Sequence, residues 1–194
     1  TTGSWQHLMI VRSGTTVTLY YNGTAPAQYD GGSPGTANIT SSGTPDFYIG
    51  DAPGATNSQY DGKVCDVVMW NRALSASEIA QVYAAGAGNF QTLLPINTNL
   101  FSYYKFDGDV ADSLGAYNGT ASGSGTVSYP ASMTGFGQCM DLAPNAYSNI
   151  GNVSQWGSGS FSISCWINSD VATSGDYFTV FAADNAGSIG FALF

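Results

Sequence analysis

The sequence predicts an all-β protein with one short helix near residues 75–85. Three observations carry that expectation. Charged residues make up 9% of the chain, hydrophobic residues reach 43% and there are 25 glycines, so the composition is β-rich, turn-rich and globular rather than disordered. Two stretches keep a two-residue period. Cys65, Val67 and Met69 alternate with Asp66, Val68 and Trp70, and Phe161-Ser162-Ile163-Ser164-Cys165-Trp166-Ile167-Asn168 alternates in the same way. Between them, Ser75-Ala76-Ser77-Glu78 is a capping box, in which the serine hydroxyl and the glutamate carboxylate each serve an amide that a helix start leaves open. A length of 194 residues fits one large sandwich or two small domains.

In chain order, Trp5 to Arg12 reads as a strand with Trp5, His7, Met9 and Val11 on one face. Val17 to Asn22 is the next, and Asn22-Gly23 is a tight-turn signal into a third strand at about Thr24 to Gln28. Asp30 to Gly43 is a glycine- and serine-rich excursion. Phe47-Tyr48-Ile49 is a short apolar run closed by Gly50, and a loop follows. Tyr60-Asp61-Gly62 launches the long strand to Trp70, Asn71-Arg72-Ala73-Leu74 leaves the sheet, and the helix runs to a glycine C-cap at Gly86. A connector containing Pro95 leads to Leu100–Phe106 as a strand, with a turn at Asp107-Gly108. Gly135 to Leu142 (with a glycine entry), Phe161 to Asn168, Thr179 to Ala182 and Gly190 to Phe194 read as further strands.

The charge balance narrows function. The net charge of −9 leaves only four bases, Arg12, Lys63, Arg72 and Lys105, so there is no basic footprint for nucleic acid. No apolar run is long enough to span a bilayer. The three cysteines, Cys65, Cys139 and Cys165, lie in apolar strand patterns. They read either as three small core residues or as one disulfide plus a free thiol.

The run from Asp46 to Gly86 resembles the closing part of a laminin-G-like domain of the concanavalin A-like lectin and glucanase superfamily. The resemblance rests on a hydrophobic-Gly pair, Tyr60-Asp61-Gly62, a strand, Asn71-Arg72-Ala73-Leu74-Ser75 and a Glu-Ile helix. Trp5-x-His7 and Leu19-Tyr20-Tyr21-Asn22-Gly23 are similar to the same family's core hairpin. Tyr104-x-Phe106-Asp107-Gly108, Asp112-Ser113-x-Gly115, Asn118-Gly119-Thr120 and Phe161-Ser162-Ile163-Ser164-x-Trp166 resemble the beginning of such a domain. The resemblance implies a concanavalin A-like jelly-roll β-sandwich. It also implies that residues 1–90 are a C-terminal half, 91–98 a connector and 99–194 an N-terminal half. The halves would then close on each other as one permuted sandwich, or be completed by a neighbouring repeat or an identical chain.

Catalysis has little to build on. Glucanases on this architecture use paired carboxyl groups on a strand, but Glu78 is the single glutamate and is better used as a helix cap. His7 is the single histidine and fits a packing or hydrogen-bonding role better than a triad or a metal site. Asp107, Asp109 and Asp112 form a loop of hard oxygen ligands that could hold a structural Ca²⁺, or else a solvated acidic turn. Relatives pair that turn with an aspartate in the last strand, where this chain has Cys65, a poor calcium ligand. Tyr20, Trp70, Tyr103, Tyr117 and Tyr147 are the aromatic candidates for stacking on sugar rings or for a protein contact, although strand tyrosines also fill cores.

The expected role is a non-catalytic extracellular recognition or adhesion module within a longer repetitive protein of a cell or virion surface, binding a glycan or a surface protein. A structural subunit of a surface fibre or virion, and more weakly a glycoside hydrolase, are the alternatives, since one superfold hosts all three.

Overall fold

The computed structural model describes residues 3–25, 46–51, 60–86, 96–133, 137–152, 159–170, 179–185 and 188–193. The first sheet is built from β1 (Gln6–Ser13), β2 (Thr16–Tyr21), β4 (Gly62–Trp70), β5 (Leu100–Tyr104), β7 (Val127–Ser128), β8 (Met140–Leu142) and β10 (Phe161–Ser169). Its order is β2-β1-β10-β4-β8-β7, with β5 also paired to β4. The second sheet contains β3 (Asp46–Ile49), β6 (Thr120–Gly123), β9 (Ala146–Asn152), β11 (Phe181–Asn185) and β12 (Ser188–Leu193), in the order β12-β11-β3-β9-β6. The pairings of both sheets are antiparallel. The helix, α1, spans Ala76–Ala85.

The two sheets form a sandwich because each sends one row of apolar side chains inward. Leu8, Ile10, Val64, Val67, Met69, Phe161, Ile163 and Cys165 come from the seven-stranded sheet. Phe47, Ile49, Ala146, Ile150, Phe181 and Ala183 meet them from the five-stranded sheet. Strands from the two ends of the chain interleave, with β10 between β1 and β4, and β3 between β11 and β9.

The local signals explain individual elements. Asn22 and Gly23 both take positive φ, 47° and 79°, as a two-residue hairpin turn requires, and Tyr21 and Thr24 exchange backbone hydrogen bonds across it. Residues 26–28 of the expected third strand, the 30–43 excursion and residues 87–95 of the connector lie outside the described residues. The Ser75 hydroxyl accepts from the Glu78 amide, and the Glu78 carboxylate accepts from the Ser75 amide at 2.8 Å, so the capping box forms in full. Gly86 sits at φ 71° and donates its amide to the Tyr83 carbonyl.

One expectation needs correction. The alternation in β4 is not continuous. Ser164 pairs with Val68 and Trp166 with Cys65, so Asp66 and Val67 together oppose the single residue Cys165. Asp66 takes φ 47° at this bulge. Val64 and Val67 therefore both face the core, and Cys65 lies on the outer face beside Trp166, not with Val67 and Met69. The bulge sits where the free edge of β4 changes partner, from β8 at Val64 to β5 at Val67.

The outer face of the seven-stranded sheet is not open to solvent along its whole length. Ile79 and Val82 of α1 pack with Leu74 and Ile96 over Met9, Val11, Val68, Trp70 and Tyr103 in a second apolar cluster. Ser162, outward on β10, accepts from the Leu74 amide and donates to the Arg72 carbonyl, both at 2.9 Å, which anchors the chain as it leaves β4. The Arg72 guanidinium holds both Glu78 carboxylate oxygens, at 3.0 and 2.7 Å, and reaches the Thr98 and Ile96 carbonyls.

Candidate functional site

The helix layer decides the fate of two aromatic candidates. Trp70 is fully buried under α1 and donates its indole N–H to the Ile96 carbonyl at 3.0 Å. Tyr103 is equally buried and donates its hydroxyl to Asp66 Oδ1 at 2.5 Å. Neither ring can meet a ligand, and the expectation that they do is corrected. A strand residue that alternates away from one core has here met a second one. Tyr20, opposite Met9 on β2, is half-buried against the same helix-side cluster. Tyr117 is half-buried, stacks on Phe101 at 4.4 Å and accepts the Tyr104 hydroxyl at its carbonyl.

His7 packs against the rings of Tyr83 and Trp166, at 5.6 and 5.2 Å, which stack on each other at 5.7 Å, and its Nε2 lies 2.8 Å from the Ser164 hydroxyl. Burial pushes its pKa down from 6.5 to about 4, so it stands neutral and packed, as a structural histidine does.

The acidic turn is organised around backbone amides. Asp112 is buried; its Oδ1 accepts from the Tyr103 and Leu114 amides, and its Oδ2 from those of Ala116 and Tyr117. Asp109 accepts from the Ala111 amide and Asp107 from that of Gln138. Four amides thus occupy the lone pairs that Asp112 would lend to a cation. Among the described residues no three acidic, cysteine or histidine side chains converge as a metal site. The residues present do not fit the calcium site that the sequence resemblance implies.

Two polar surfaces remain among the described residues. An open depression is lined by Asp61, Thr126, Ser128, Asp141, Leu142, Ala143 and Asp170. Lys63 bridges its rim, 3.0 Å from Asp170 and 3.8 Å from Asp141. Burial, then the charges of Asp170 and Asp141, raise the Asp61 pKa. Lys63 pairs with two of the three acids but its single charge offsets only one, so this patch is a net-negative surface ion network with modest energetic weight.

The second surface is the outer face of the five-stranded sheet. Phe47 and Ile49 turn inward from β3, which leaves Asp46 and Tyr48 outward. Tyr48 faces Asn149 across the β3–β9 ladder, and Tyr147 faces Ser122 across the β9–β6 ladder. The Tyr48 and Tyr147 rings meet edge to face at 5.5 Å, and the Asn149 amide donates to the Asp46 carboxylate at 3.0 Å. Two half-exposed aromatic rings, a carboxylate, an amide and a hydroxyl therefore share one patch. It offers flat apolar area beside donors and acceptors, the combination that reads a polyhydroxylated ring. Of the five aromatic candidates read from sequence, this patch holds Tyr147; Tyr48, Asp46 and Asn149 were missed. The period of Asp46-Phe47-Tyr48-Ile49 carried the signal, because two apolar residues inward force Tyr48 outward.

No curated protein and no solved structure matches the chain. A family model does. Over residues 1–80, which carry β1 to β4 and the first half of α1, the chain matches the model of the concanavalin A-like lectin/glucanases superfamily, and its two antiparallel sheets form a sandwich consistent with that fold.

Proposed function

We propose that the chain is a non-catalytic recognition module of an extracellular or virion surface protein, and that it binds glycan on the outer face of its five-stranded sheet. The observation that carries this reading is the Tyr48–Tyr147 ring pair set beside the Asn149–Asp46 amide–carboxylate pair. One ring of this edge-to-face pair stacks on the apolar face of a sugar while the other flanks it, and the amide and carboxylate exchange hydrogen bonds with its hydroxyls. Match to a superfamily of lectins and glucanases supports a carbohydrate ligand without choosing between binding and hydrolysis.

The side chains favour binding. Glu78 is committed to the helix cap and to Arg72, and His7 is buried against the Tyr83 and Trp166 rings. The test is a glycan-array screen of the purified chain beside Tyr147→Ala, with and without EDTA. Saturable binding that Tyr147→Ala weakens at least tenfold, unchanged by EDTA, supports the reading. Absence of binding by a folded sample, together with end-to-end self-assembly, would replace it with a structural subunit of a surface fibre. Release of reducing sugar ends would replace it with a hydrolase.

A further inference from the structure

The strand register just before the Asp66 bulge puts two thiols face to face. Gly62 pairs with Leu142, Lys63 with Asp141 and Val64 with Met140, so the next facing pair along the antiparallel register is Cys65 and Cys139. Facing residues of an antiparallel ladder have Cα atoms about 4.5 to 5.5 Å apart, inside the range of about 4.4 to 6.8 Å that a disulfide spans. The two thiols perturb each other's ionisation, as close neighbours do. The Ser132 hydroxyl lies 3.1 Å from Cys65 Sγ, and Cys65 Sγ lies 4.0 Å from the carbonyl of Gln138, the residue before Cys139. Both cysteines are buried, and both are unbridged in this structure. Cys165 is excluded from the pair, because it faces the inter-sheet core from β10 while Cys65 faces outward.

We infer that Cys65 and Cys139 are a disulfide-forming pair, a covalent clasp between β4 and the entry to β8 that closes in the presence of a low-molecular-weight disulfide. The inference is independent of the glycan reading. The clasp lies where β4 exchanges β8 for β5 as its edge partner, so it secures the end of the short β4–β8 ladder at the point where that ladder stops.

The chemistry balances as two thiol–disulfide exchanges. The Cys139 thiolate attacks one sulfur of the oxidant, which leaves as a thiolate, and a mixed disulfide forms. The Cys65 thiolate then attacks the Cys139 sulfur and expels the second thiolate. Two electrons pass to the oxidant, and the two cysteine protons end on the two thiols it releases. The exchange balances in either order; the Cys65 thiol and Lys63 hold the Cys139 thiol down against its burial, whereas burial pushes the Cys65 thiol up, which favours Cys139 for the first attack.

Four methionines make the test direct: cyanogen bromide cleaves after Met9, Met69, Met133 and Met140, which places the three cysteines in three different fragments. The full chain is folded with oxidised glutathione, alkylated under denaturing conditions and cleaved. The expected product is fragment 10–69 joined to fragment 134–140, with fragment 141–194 carrying an alkylated Cys165. Reductant should lower Tm by about 5–10 °C, as expected for a disulfide that closes a long loop. Cys65→Ala and Cys139→Ala should each abolish that reductant-dependent shift. Three alkylated cysteines, a link that includes Cys165, or a link between two chains would overturn the inference. The mapping uses the unmodified chain, so it stands whether or not either variant folds.

Discussion

The hydroxyl of Tyr103 donates to the carboxylate of Asp66 at 2.5 Å across the β4–β5 pair, within the bulge that ends the β4–β8 ladder. This contact supports a residue held at φ 47°, where a side chain other than glycine is uncommon. It joins the site of local strain to the layer beneath α1. Tyr103→Phe removes this buried charge-assisted hydrogen bond, which costs about 1–3 kcal/mol. Urea denaturation checks this, with a lower midpoint and an unchanged slope as the expected outcome.

Asp112 anchors its turn through four amides, so its role is to cap backbone. Asp112→Ala should lose about 3–5 kcal/mol, since each charge-assisted bond counts for more than a neutral one and the amides it leaves are partly buried. Calcium and EDTA should leave the Tm of the unaltered chain the same in thermal melts. A rise of several degrees with calcium would show the turn to be a metal site after all.

The sequence was most legible where a few adjacent residues decide the structure. Ser75 and Glu78 specify a helix start by themselves, and Asn22-Gly23 specifies a turn. Phe161 to Asn168 specifies a strand whose inward and outward faces both hold, with Phe161, Ile163 and Cys165 in the core and Ser162 and Ser164 outside it. The bulge in β4 was hidden, because Cys65-Asp66-Val67 continues an alternating pattern on paper. Only the partner strands show that Asp66 and Val67 share one position. Burial of Trp70 and Tyr103 was hidden for a related reason: alternation separates two faces of a strand but does not say that a helix covers the second. Tyr48 is legible in principle, because Phe47 and Ile49 on either side of it turn into the core.

Glu78 gives the chain an acid-labile helix start. The Arg72 guanidinium, then the Ser75 amide and hydroxyl, hold its pKa down from 4.5 to about 2 against its burial. The unfolded chain therefore takes up this proton at a higher pH than the folded chain does. The stabilisation is fully present above about 4.5 and is lost as pH falls toward about 2. In Glu78→Gln, Tm at neutral pH should fall by a few degrees, and the part of the acid slope below 4.5 due to this group should vanish.

His7 acts over a different window. Its folded-state pKa of about 4 lies below the ordinary 6.5, so the unfolded chain binds this proton first. Stability from the neutral ring is complete above 6.5 and declines as pH falls from 6.5 to about 4. Proton NMR of the single imidazole should titrate near 4, and a midpoint near 6.5 would contradict the enclosed ring.

The most direct test of the recognition account is an NMR titration of the labelled chain with a glycan that the array identifies. The account predicts saturable shifts centred on Tyr48, Tyr147, Asn149 and Asp46, absent in the Tyr48→Ala, Tyr147→Ala double variant. Shifts centred instead on Asp61, Asp141 and Asp170 would contradict it and move the site to the acidic depression.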